Sequence, residues 1–543
     1  MPDNLYDNIE NGKEENSTIN VLSKGSTITV TNCNDSGPGS LRQAVIDAKS
    51  RDTIDFSSAI LPATIYLNGE GIVIDKTLTI NGPAEGRLVI SCSTTIFEIA
   101  AKIIVNISNV YLTQSRQAIR SGCATVSLKN CTFYDNTANR YEGGAAINVG
   151  YGGFLSISSC KFFNNICMYG GAIEAPSLCR VEIEDSVFFN NSANSGGAIS
   201  SSGNVYITDT MFINNSANYT GGAIGNHGSI TIRGSTFSSN KGTNFGGAIE
   251  NHGNAILENN TFSYNNASKG GSIWNMVGTI NTANNTFSDN RANDGGVLLN
   301  DGTAKIAGDT FVNNTASICG AIHNTGIANI TDAMFNNNEG GTYGGALGNS
   351  GNITIQGSTF SSNHCSRSGG AVANISNIAT ITNCTFSGNT AVYGGAIGNY
   401  TPGTVNIINS TLTTNSADNS GGALVNDGKA LINNSMLTNN SAAGDGGALA
   451  NQGEASVMAG TFTDNSARVS GGAVVNYSSG IVTGTNSIFT DNSALKGEAI
   501  ANFGSNRIPV TNSTLNNNGD SPIFGEIIIT DSTVIQNTWL DMY

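Results

Sequence analysis

Charge, proline and long apolar runs are what this chain has least of. Only 12% of its 543 residues are charged and only 8 are proline. No stretch approaches the roughly 18 apolar residues of a membrane-spanning helix. The longest apolar run, from Ile99 to Val105, is broken by Lys102. The opening segment, MPDNLYDNIENGKEENSTIN, is acidic and polar without an apolar centre, so no secretory signal is read there. The ten cysteines show no CxxC spacing paired with histidine, so no zinc site is expected among them, and most are read as small buried hydrophobes. No cofactor motif is found, so no cofactor is expected. With 24 basic against 39 acidic residues the net charge is −15, which disfavours nucleic acid or an anionic membrane as partner.

Low charge here does not mean disorder, because 38% of the residues are hydrophobic. Glycine is abundant, at 67 residues, and it is periodic. Gly-Gly pairs or degenerate versions begin at 143, 170, 196, 221, 246, 270, 295, 319, 344, 369, 394, 421, 446, 471 and 497. The spacing is about 25 residues. A second motif runs in step. Phe or Leu is followed three residues later by Asn in sixteen places, among them Phe212/Asn215, Phe237/Asn240, Phe262/Asn265 and Phe287/Asn290. A third column lies five residues after the first Gly and is mostly Asn, as in Asn226, Asn251, Asn275 and Asn300.

Each repeat reads GGA[ILV]-x-N-x-G, then an alternating run such as Ile230-Thr231-Ile232, then Ser235-Thr236-Phe237, then N-x-A. These are three short period-2 segments parted by Gly and Asn turns. Helical solenoids need two helices and about 33 residues per repeat, and propeller blades about 40–45 residues. The pattern therefore predicts an all-β, right-handed parallel β-helix, one coil per repeat, with Phe columns inside and Asn amides laddered from coil to coil. Residues 1–20 are expected to be disordered. Residues 21–128 are read as a cap and irregular early coils, with Ser40 N-capping a helix from Leu41 to Lys49. Residues 129–518 are the regular repeats. Residues 519–543 are a last coil lidded by Trp539-Leu540-Asp541-Met542-Tyr543. Cys131 and Cys160 share a column on neighbouring coils, where a disulfide has room to form.

GGA[ILV] with FxxN resembles the passenger domains of chlamydial polymorphic outer-membrane proteins and the adhesin-like β-helix proteins of gut bacteria and methanogens. The run Asn34-Asp35-Ser36-Gly37-Pro38-Gly39-Ser40-Leu41-Arg42-Gln43-Ala44 resembles the SLR-A type cap of bacterial surface β-helices. The resemblance implies an extracellular or cell-surface location, and a host or neighbouring-cell protein or glycan as partner. Neither a signal peptide nor a membrane-inserting segment is expected within this chain.

The leading functional reading is a non-catalytic surface-type scaffold, adhesive or displayed. Parallel β-helices also carry polysaccharide lyases and hydrolases, whose sites cluster carboxylates. Glu182, Glu184 and Asp185 form the densest acidic spot and would be the catalytic candidates; the bland reading is a solvated face. Glu174 and Glu250 share a column three coils apart. His227 and His252 share a turn column on adjacent coils, followed by Met276 and Asp301, and are weak metal candidates against a bland reading of two exposed turn residues. Thr-[Phe/Leu]-[Ser/Thr] rows beginning at Thr236, Thr261, Thr286, Thr359, Thr385, Thr411 and Thr461 resemble ice-binding solenoids, a minor alternative, but break at Thr310 and Met334.

Overall fold

The computed structural model describes residues 25–139 and 142–535. Its unit is seen in one coil. Ile224–Asn226, Ser229–Arg233 and Thr236–Ser238 are strands on three successive walls. Each pairs in parallel with its copy one repeat later, Ile249–Asn251, Asn254–Glu258 and Thr261–Ser263. The same ladders run through the described residues, which hold 21 strands on the second wall, from Thr27–Val30 to Ile527–Thr530. The chain is thus a parallel β-solenoid of about 20 turns, as the repeat predicts.

Corners set the coil size. Between the second and third walls one residue takes the left-handed region, as with Asn259 (φ 56°) and Asn284 (φ 56°), the residue types that tolerate it best after glycine. The Gly pair does two different jobs. Gly246 has φ 58°, and a Cβ on it would sit 2.3 Å from the Ile249 carbonyl. Gly247 is close-packed instead: its Cβ would lie 2.0 Å from the Gly271 carbonyl of the next coil. In the first repeat the column holds Gly144, not Gly143, because Ile147 pairs with Ile173. Asn148 consequently stands beside Glu174, outside the inner Asn column, which begins at Asn226.

The interior is a set of stripes. Phe133, Phe162, Phe188, Phe212, Phe237, Phe262, Phe287, Phe311, Phe335, Phe360 and Phe386 form one unbroken ring stack, with centroids 4.6–5.0 Å apart. Leu412 and Leu437 continue it before Phe462 and Phe489 restore the rings. At the next corner Asn215 Nδ2 donates to Asn240 Oδ1 (3.0 Å), Asn240 to Asn265 (3.0 Å) and Asn265 to Asn290 (3.1 Å). The same amides donate to backbone carbonyls one coil back, as Asn265 does to Phe237. The second ladder links Asn226, Asn251, Asn275 and Asn300 at 2.7–2.8 Å.

A third polar column was not read from the sequence. It runs through Ser235, Asn260, Asn285 and Asp309, each side chain accepting a backbone N–H from the coil before. A fourth short strand also follows the corner Asn in many coils, for example Ser216–Thr220 and Ser416–Ser420. The N-x-A segment is already extended where it leaves the Asn ladder, so its copies pair as well.

At the start, Ser40 Oγ accepts from Gln43 N and caps helix α1, Leu41–Asp47, two residues shorter than expected. Leu41, Ala44 and Val45 are buried in the core, and Arg42 ties the helix to Asp35 (2.7 Å) and to the Gly71 carbonyl. At the far end Ile527–Thr530 and Thr533–Ile535 form the last coil. The aromatic lid and the disorder assigned to 1–20 lie outside the described residues. Cys131 and Cys160 do stack in one column, as free thiols whose Sγ atoms donate to the Lys129 and Ser158 carbonyls.

Asp309 supplies a test of the polar column. It is fully buried, and burial pushes its carboxyl up to about 6, above an unfolded value near 3.8. The folded state therefore prefers the protonated acid. Its contribution is complete below pH 3.8 and lost as pH rises through about 6. Asp309→Asn keeps the acceptor for Asn285 and removes the charge. Urea unfolding is expected to show a gain of up to about 3 kcal/mol at pH 7.5 that vanishes near pH 4.

Candidate binding groove

Strands of the second wall alternate, with Ile230 and Ile232 inward and Ser229, Thr231 and Arg233 facing solvent. The first wall breaks this rule. All three residues of Ile249–Asn251, Ile273–Asn275, Leu298–Asn300 and Val372–Asn374 are buried, including the outward one. Two rims overhang that face. One is the residue before each Gly pair, bridged from coil to coil, as in Thr220, Phe245 and Lys269. The other is the turn residue after the inner Asn, as in His227, His252 and Tyr400. Between them runs a groove whose floor is the outward column Glu250, Trp274, Leu299, His323, Gly348, Ala373, Gly398, Val425 and Ala450.

One hollow of about 460 Å³ lies over Glu250 and is lined by Tyr169, Tyr219, Phe245 and Trp274. Phe245 and Trp274 stack at 4.0 Å, and Trp274 Nε1 donates to Asp301 Oδ2 (2.8 Å). Glu250 is 4% exposed. Its Oε1 lies 2.6 Å from His252 Nε2, and its Oε2 accepts from Ser195 Oγ (3.2 Å) and from Thr220 Oγ1. The His227 and His252 rings stack at 4.5 Å. Burial, countered by the Glu250 charge, leaves His227 below the usual imidazole value.

A second hollow of about 450 Å³ lies farther along, lined by Arg367, Ser368, Tyr393, Tyr400, Asp427 and Tyr477. Its floor is apolar: Val425 and Tyr477 pack on Ala450, Val475 and Ala501. Tyr343 meets Tyr400 edge-on at 5.4 Å. Burial raises Tyr400 and Asp427. Ser368 Oγ lies close enough to the Tyr400 hydroxyl to oppose that rise, yet it is fully buried and reaches no partner at hydrogen-bond geometry. Flat rings, a guanidinium and a carboxylate over a small-residue floor suit a hydroxyl-rich or mixed polar ligand.

The candidate acids fall elsewhere. Glu182 and Glu184 point outward from the strand Arg180–Glu184 on the second wall, where Glu182 is held by Arg180 at 2.5 Å. Asp185 sits in the following turn and accepts from Ser159 Oγ (2.9 Å). Neither of the two hollows is lined by any of the three. The hydroxyl rows on the third wall are interrupted by exposed Met211, Met334, Met436 and Ile488. His227 and His252 do come together, with Glu250 as a partner the sequence reading kept apart. Its signal was a carboxylate two residues before His252, on the same strand face. The tyrosine hollow had no such signal, because Arg367, Tyr393 and Tyr400 come from different positions of the repeat.

The chain matches the Chlamydia polymorphic membrane protein repeat at residues 185–202 and 383–400, so the resemblance carried by GGA[ILV] and FxxN holds. Both segments contain a corner Asn, a Gly pair and a first-wall strand. No curated protein matches the chain. Among solved structures, ORF18 of Geobacillus virus E2 is 11% identical over 66% of this chain, with a TM-score of 0.18. This chain spans 57% of its length. The PL6 family alginate lyase AlyGC is 10% identical, covering 93% of this chain and 100% of its own, with a TM-score of 0.21. An AlyGC mutant gives 0.20 over the same shares. Likeness this weak carries no argument about activity.

Tyr477 reports directly on the second hollow. Its hydroxyl donates to Ser420 Oγ (3.1 Å) and lies 3.3 Å from Asp445 Oδ2. Burial above all, with the Asp445 charge, pushes the phenol up to about 12. An ultraviolet difference titration of the protein against Tyr477→Phe is expected to show one phenol ionising near pH 12 and not near 10.

Proposed function

We propose that this chain is a non-catalytic adhesive rod, displayed at a cell surface, that holds a host or neighbouring-cell glycan or protein along the groove of its first wall. The supporting observation is the second hollow on the first wall, where tyrosine, arginine and carboxylate side chains gather over a floor of small apolar residues. Similarity to a repeat of membrane proteins favours surface display. A carbohydrate-active enzyme is the weaker reading. Glu250 is a buried carboxylate in the groove, but Glu174 in its column is three coils off, about 14 Å at ~4.8 Å per coil. Paired glycosidase carboxylates stand roughly 5–9.5 Å apart.

Immobilised protein is expected to retain cells or surface glycans without releasing reducing-end or unsaturated products. Replacing Tyr400 and Tyr477 by Ala should weaken retention about tenfold or more, with thermal unfolding checked in parallel. Replacing Glu182, Glu184 and Asp185 by their amides should leave it unchanged. Product release that disappears in Glu250→Gln, or in the triple amide variant, would establish the enzyme reading instead.

A further inference from the structure

The first hollow poses a problem that the adhesive reading leaves unsolved. Glu250 is a carboxylate with almost no access to water, and among the described residues no lysine or arginine is ion-paired with it. Its acidic oxygens are met by two hydroxyls and one imidazole. Apart from that imidazole no basic side chain among the described residues is paired with it, and a buried carboxylate so poorly matched is costly, by several kcal/mol even after relaxation. The coil register also delivers two imidazoles to the same place. His227 and His252 occupy one turn position on consecutive coils, so their rings are forced to within a coil spacing of each other.

We propose that His227, Glu250 and His252 form a binding site for a transition-metal dication, zinc in the first instance. One donor atom from each residue lies within 4.8 Å of the other two. Zinc bonds of about 2.0–2.2 Å to nitrogen and oxygen set donor atoms a little over 3 Å apart. Rotation of the exposed His227 ring, which makes no hydrogen bond among the described residues, brings its nitrogen in, while the Glu250 Oε1–His252 Nε2 pair, 2.6 Å apart, opens to admit the ion. Two imidazoles and a carboxylate are a donor set that zinc and its late first-row neighbours favour over magnesium or calcium. Ser195 and Thr220 hold the carboxylate from behind, the outer support that ligating carboxylates have in metal sites. Three protein ligands leave a fourth position, which opens into the hollow lined by Trp274 and Tyr219. The metal would neutralise the buried carboxylate and present a Lewis-acidic point to whatever lies in the groove.

A second group, Asp294, Cys319 and His323, lies on the same face. It is the internal control, because both His323 nitrogens already have partners, Asp294 and Ser350, and Cys319 is fully buried with burial raising its thiol. The proposal does not depend on the adhesive reading, and its test reads no binding to cells.

Chelator-treated protein is titrated with Zn2+ by calorimetry and by competition with a chromophoric chelator. One equivalent is expected to bind. His227→Ala and His252→Gln should each weaken binding at least about tenfold, and Thr220→Val by about 10–100-fold. His323→Ala should leave it unchanged. Circular dichroism melting of each variant separates loss of ligand from loss of fold. Trp274 gives a local signal, since its ring is 5.8 Å from His252. In a Trp539→Phe background, Cu2+ should quench its fluorescence at one equivalent, and His227→Ala should abolish the quenching. Absence of binding, binding indifferent to His227 and His252, or binding that follows His323 would each overturn the assignment.

Discussion

A buried primary amide carries two donors and an acceptor, and each needs a partner that water cannot supply. In this chain the partner of each corner Asn is its own copy one coil along, together with a backbone carbonyl one coil back. An amide left unmatched in the interior costs about 1–3 kcal/mol. A coil that slips by one residue therefore breaks two amide ladders and turns its Phe toward the wrong face. The Asn columns hold the coils in register, and every other feature of the molecule inherits that alignment.

The alignment explains why the repeat tolerates change at some positions and not at others. Phe can become Leu at 412 and 437 because the stack needs an apolar body more than a ring. From Gly171 to Gly472 the second Gly of each pair faces the backbone of the next coil at a distance that no side chain survives, while Ala145 and Glu498 hold that column at its two ends. Outward positions of the second and third walls vary without consequence for the core. Variation there yields ordinary solvated surface, including the acidic spot at Glu182 and Glu184.

Where the rims overhang the first wall, the same alignment does chemical work. Residues 25 apart in sequence become neighbours across one coil spacing, so drift in a turn position builds a cluster. His227 beside His252 is such a case, whereas the tyrosine hollow gathers residues from different positions of the repeat. The groove joins an imidazole-carboxylate hollow to a tyrosine hollow along one face, the arrangement a long ligand or several contacts would use.

Much of this was legible in the letters. Period and residue type alone determined the solenoid, its three walls, the inward Phe, both Asn ladders and the capped helix, because a repeat that pairs with itself leaves its periodicity visible. The third polar column and the fourth strand escaped, and so did a local slip, invisible without the strand pairing: Gly143 precedes the true column, and Asn148 is outside the ladder. The groove was decided only in three dimensions. Whether an outward residue is exposed or overhung depends on how far the flanking corners project. Nothing in the sequence marks that Glu250, on the first wall, is buried while Glu182, on the second, is not, although both are outward-facing carboxylates on strands.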